Sequence, residues 1–103
     1  MDRSMESSLP TEKLNQSNYA SWYYKMHQYL LGHGYWSYVE GANEVAPEPA
    51  HKNFSIWEQA SSRVMYCLAS YVHDQMLDYI RDMKMPKEAW ENLKKIFALS
   101  TTT

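Results

Sequence analysis

The chain is poor in the residues from which the simplest sites and scaffolds are built. A single cysteine, Cys67, excludes a disulfide framework and a cysteine-based zinc module. Three glycines, at 32, 34 and 41, are too few for a phosphate-cradling loop, and no Gly-x-Ser-x-Gly elbow is present. No uncharged apolar run approaches the roughly 18 residues of a membrane span. The first twenty residues lack the apolar stretch of a secretory signal. Neither sign of charge dominates: ten Lys and Arg against twelve Asp and Glu give a net of −2, which argues against a dedicated nucleic-acid binder. These absences lead to the expectation of a protein of a reducing compartment, the cytoplasm, with no membrane contact. Its 103 residues suffice for one domain.

What is abundant is aromatic. Nine Tyr, four Trp, two Phe and seven Met exclude disorder of the whole chain. Residues 1–13 are polar and aperiodic and are expected to form a mobile arm. Tyr19, Trp22, Met26, Tyr29, Leu30 and His33 then recur at helical spacing, with Ser17 or Asn18 as N-cap and Gly32 and Gly34 as the stop. Tyr35–Val39 suits a single helical turn closed by Gly41, and residues 42–53, with two prolines, suit an exposed loop. Ser55 and Glu58 have capping-box spacing at the start of a helix that buries Trp57, Ala60, Val64, Cys67, Leu68, Tyr71 and Val72. A further helix fits 74–83, with Met76, Leu77 and Ile80 inward. Pro86 opens the last one, whose stripe is Ala89, Trp90, Leu93, Ile96 and Phe97. The fold class is therefore all-α: a compact bundle of four longer helices plus one short helix over residues 14–100, followed by a 101–103 tail. Its expected core joins Trp22, Met26, Leu30, Trp57, Val64, Leu68, Trp90, Leu93 and Phe97.

Sites for chemistry are not apparent. The histidines at 27, 33, 51 and 73 never fall four apart, so no helix turns two imidazoles to one metal. Cys67 lies within an apolar stripe, as an inert thiol would. No catalysis, cofactor or metal is expected. Two features suit contact with other proteins. Tyr24, His27, Tyr35 and Tyr38, around the end of the first helix, are candidates for a self-association surface, because tyrosines bring contact area with little entropy to lose. Charge is uneven as well. Residues 40–58 carry a local −3 and residues 84–95 a local +2, so Lys87, Lys94 and Lys95 could meet the acidic segment of another copy. The aromatic surface is favoured, since exposed ion pairs contribute only about 0–1 kcal/mol.

Several blocks resemble the opening of copia-type retrotransposon Gag polyproteins. They are Leu14-Asn15-Gln16-Ser17-Asn18-Tyr19-Ala20-Ser21-Trp22, then Met26, Leu30-Leu31-Gly32 and Tyr35-Trp36-Ser37-Tyr38-Val39-Glu40-Gly41. Downstream, Trp57 with Ala60 matches loosely and Lys87-Glu88-Ala89-Trp90-Glu91-Asn92-Leu93 matches closely. Met85-Pro86 departs from the family's Thr or Ser helix cap. The resemblance implies an N-terminal domain like that of retroviral capsids, which self-assembles weakly into capsid-like particles and catalyses nothing. It implies RNA contact only through a second helical domain and a zinc knuckle, neither of which is in these residues. Two other readings stand beside it: a domesticated Gag-derived adaptor that binds a host or pathogen protein, and an RNA-binding module.

Overall fold

A computed structural model describes residues 12–100. The expected tail, and the expected arm apart from Glu12 and Lys13, lie outside the described residues. The architecture is all-α. Helix α1 runs Tyr19–Gly32, a 3-10 turn follows at Trp36–Tyr38, and α2 runs Phe54–Ser70. A second 3-10 segment covers Asp74–Tyr79, and α3 covers Pro86–Ser100. The fourth long helix expected over 74–83 is thus a shorter, tighter 3-10 segment. It starts after an extended His73 (φ −62°, ψ 149°), and Met76 and Ile80 still turn inward.

The lead-in to α1 is folded back on the bundle. Leu14 forms an isolated parallel bridge with Val72: its N–H donates to the Tyr71 carbonyl at 2.8 Å, and its own carbonyl accepts from His73 N–H at 3.0 Å. Asn18 holds the N-cap position of α1, but its side chain caps nothing in the helix. Its Oδ1 instead accepts from Asn15 N–H at 2.8 Å and its Nδ2 donates to the Lys13 carbonyl at 3.0 Å, so it fixes the lead-in. The far end of α1 closes as expected for a glycine stop. Gly34 takes φ +75°, its N–H donates to the Leu31 carbonyl, and Tyr35 N–H donates to the Leu30 carbonyl, the paired bonds of a Schellman closure. Gly32 is simply the last helical residue.

Helix α2 begins two residues earlier than its capping box would require. Asn53 is the N-cap, its carbonyl accepts from Trp57 N–H, and no side chain caps the end. Ser55 therefore sits inside the first turn, where it cannot bridge to Glu58. Expected in the core, Trp57 is instead half-buried on the flank, with its Nε1–H donating to the Asn43 carbonyl at 2.8 Å and its ring stacked on Phe54. The 42–53 loop is thereby tied to α2.

The remaining eight expected core residues are buried, and Leu14, Val39, Val72, Met76, Ile80 and Ala89 join them. Helices α1 and α2 run antiparallel, with Trp22 Nε1–H donating to the Tyr71 carbonyl at 2.8 Å and Cys67 Sγ 3.7 Å from Met26 Sδ. Helix α3 closes the bundle through Trp90. Its ring lies 5.8 Å from Trp22, 5.1 Å from Tyr23 and 5.1 Å edge-on from Trp36, measured between centroids. Three elements meet on that one side chain. Trp90→Ala should therefore cost about 3–5 kcal/mol, the range for deleting a large buried ring. Thermal unfolding of the variant checks this, and an unchanged melting temperature would contradict it.

Candidate protein-interaction surface

Helical geometry sorts the aromatic side chains of α1 by face. Trp22, Met26 and Leu30 point into the core. Tyr24 and Leu31, seven residues apart, share the opposite face and are exposed, Tyr24 at 64%. His27 lies on one flank, half-buried, its ring 4.1 Å from that of Trp36. Tyr29 and His33 lie on the other flank, towards α2, with ring centroids 4.3 Å apart. Of the four residues expected to make one self-association surface, Tyr24 and His27 are three apart on α1 and so neighbours on its surface, Tyr24 fully outward and His27 packed on Trp36. Tyr35 and Tyr38 are close, edge to face at 6.5 Å, and both are half-buried.

Tyr35 takes part in a different arrangement. With Tyr29 and His33 it borders an open groove of about 560 Å³, whose other wall is the flank of α2: Gln59, Ser62, Arg63, Tyr66, Cys67 and Tyr71. Tyr66 is 75% exposed at its edge. His33 Nε2 is buried there and has no hydrogen-bond partner among the described residues. Burial raises the Tyr29 hydroxyl pKa, helped by Cys67, Tyr71 and Tyr35 nearby, so the hydroxyl remains a neutral donor. Tyr66 and Arg63 did not stand out as functional residues in the sequence. The signal was the spacing of Gln59, Ser62, Arg63 and Tyr66, a second helical stripe of polar and aromatic residues beside the apolar one.

The charged segments are partly spent within the chain. Glu44, in the acidic stretch, pairs with Lys87 of α3 at 3.5 Å and accepts the Gly41 N–H at 2.9 Å. The Gly41 hydrogen bond leads in holding its carboxyl below the usual range, and Lys87 adds to it. Lys94 and Lys95 remain exposed.

Among the described residues no three His, Cys, Asp or Glu side chains converge as a metal site would need. No described helix is long and apolar enough to cross a membrane. The family model for the gag-polypeptide of LTR copia-type matches residues 26–103, three-quarters of the chain. The chain belongs to that family. The Gag match includes the Lys87–Leu93 block but begins after Leu14–Trp22, which carried part of the resemblance. No curated protein and no solved structure matches the chain.

The thiol in the groove wall of this Gag domain offers a check on its packing. Burial pushes Cys67 from the ordinary 9.0 up to about 11. Only the thiolate reacts, so alkylation of Cys67 near pH 8 should run about a hundredfold slower than that of an unstructured thiol, two pKa units corresponding to that factor. Stopped-time alkylation followed by mass spectrometry measures it. A rate equal to that of a free thiol would mean that the α1–α2 seam is open.

Proposed function

We propose that this Gag domain is a non-catalytic structural module. It associates weakly with copies of itself to form a capsid-like particle in the cytoplasm, and it leaves RNA to other parts of the polyprotein. The observation that carries the reading is the aromatic groove between α1 and α2, with Tyr66 at its edge, on a domain whose core is already closed. Rings of this kind supply interface area at low entropic cost. The internal Glu44–Lys87 pair supports rings over charges as the source of affinity, because it removes one of the acidic residues and one of the lysines that charge pairing between copies would use.

Sedimentation equilibrium from micromolar to millimolar protein tests this. The average mass should rise with concentration and persist in half-molar salt, which screens exposed ion pairs over a few ångströms. Tyr35→Ala with Tyr66→Ala should return the chain to monomer. A chain that stays monomeric at millimolar concentration would overturn self-assembly and favour an adaptor that docks a different protein.

A further inference from the structure

Among the surfaces left once the core is closed are the α1–α2 groove and the 42–53 loop. The loop is held at its root, where the Asn43 carbonyl accepts from Trp57 at 2.8 Å and Glu44 meets Lys87 at 3.5 Å. Beyond that root it is partly exposed, with Ala46 and Pro47 half-buried. Val45 is 70% exposed, Glu48 and Pro49 are exposed, and residues 46–48 belong to neither helix nor turn. Pro47 and Pro49 fix their own φ and bias Ala46 and Glu48 to extended backbone, so residues 46–48 favour a polyproline II path, which ends at the turn where the Glu48 carbonyl accepts from His51 N–H at 2.8 Å.

The groove has the complementary character. Aromatic-lined grooves take polyproline strips because the strip loses little entropy on docking and its proline faces lie flat on rings. Here the rings are Tyr29, Tyr35, Tyr66 and Tyr71. Arg63 is the one Arg or Lys of the lining, and among the described residues no carboxylate pairs with it. Glu48, at the centre of the proline pair, likewise forms no ion pair among the described residues. The extended part of the strip fits within the groove wall: residues 46–48 extend about 9 Å at the polyproline II rise, and α2 from Gln59 to its C-cap extends about 18 Å.

We infer that the groove receives the Val45–Pro49 strip of a second copy, with Glu48 against Arg63. A domain's own strip does not line its own groove, and its root is tied to α2 and α3. The inference rests on the self-association reading and gives it a geometry. Groove and strip are unlike surfaces, so the contact is heterologous: each copy gives a strip to one neighbour and takes one from another, and the series continues until it closes.

The test is a titration of the isotope-labelled domain with a synthetic peptide of residues 42–53, followed by NMR. Shifts should fall on Tyr29, His33, Tyr35, Tyr66 and Tyr71. Arg63→Glu, an exposed change on α2, should weaken the peptide about tenfold, since reversal turns attraction into repulsion where salt would only screen it. A peptide carrying Glu48→Lys should regain that loss on the Arg63→Glu protein. A peptide with both prolines replaced by alanine should bind the unaltered domain more weakly. Shifts away from the groove, or no binding at millimolar peptide, would overturn the inference. If the whole chain nevertheless self-associates, self-assembly stands and uses another face. If it stays monomeric, both fall.

Discussion

The carbonyl of Tyr71 is the point on which the bundle depends. The last carbonyls of an α-helix have no partner within it. At the end of α2 the C-cap carbonyl is taken twice, by the Leu14 N–H and by the Trp22 indole N–H, each at 2.8 Å. The first bond brings the lead-in strand against Val72 and buries Leu14. The second fixes the depth and direction of Trp22, on which Trp90 stacks. One acceptor therefore sets the antiparallel register of α1 and α2 and, through Trp22, the seat of α3. A buried indole N–H without an acceptor would cost about 1–3 kcal/mol, which makes this register expensive to change.

That register produces the groove. With the start of α1 held at the end of α2, the Tyr29–His33 flank must face the middle of α2. The Schellman closure at Gly34 then turns the chain so that Tyr35 continues the same wall. The groove is thus a product of two backbone devices, a doubly used C-cap and a left-handed glycine. The 42–53 loop is placed in a similar way, by the Trp57 indole and by Glu44, which fix the root of its proline strip.

Much of the fold was legible because helices advertise themselves by period. The stripes of α1, α2 and α3 included ten residues that are buried, and Gly34 named the end of α1. What failed has a common cause. Leu14 is one bridging residue, and a single residue has no period. Trp57 fits the α2 stripe at its first turn, but its indole finds a loop carbonyl, and a loop contact leaves no mark in helical spacing. Residues 74–83 carry an apolar pattern that a 3-10 segment satisfies as well as an α-helix over so short a length. The interaction surface was less legible. The aromatic reading included Tyr35 and grouped it with Tyr24, His27 and Tyr38 by position in the chain, but it did not name Tyr66, which enters the groove wall from α2.

The central claim is that copies of this Gag domain meet through unlike surfaces, an aromatic groove and a proline strip. Isotope-filtered NOE spectroscopy on an equal mixture of labelled and unlabelled chains, at the concentration where mass begins to rise, observes only contacts between copies. Cross-peaks are expected from the Tyr35 and Tyr66 rings to Val45, Pro47 and Pro49. Cross-peaks that join Tyr24 and Leu31 of one copy to the same residues of another would contradict it, because they would mean a symmetric contact on the outer face of α1.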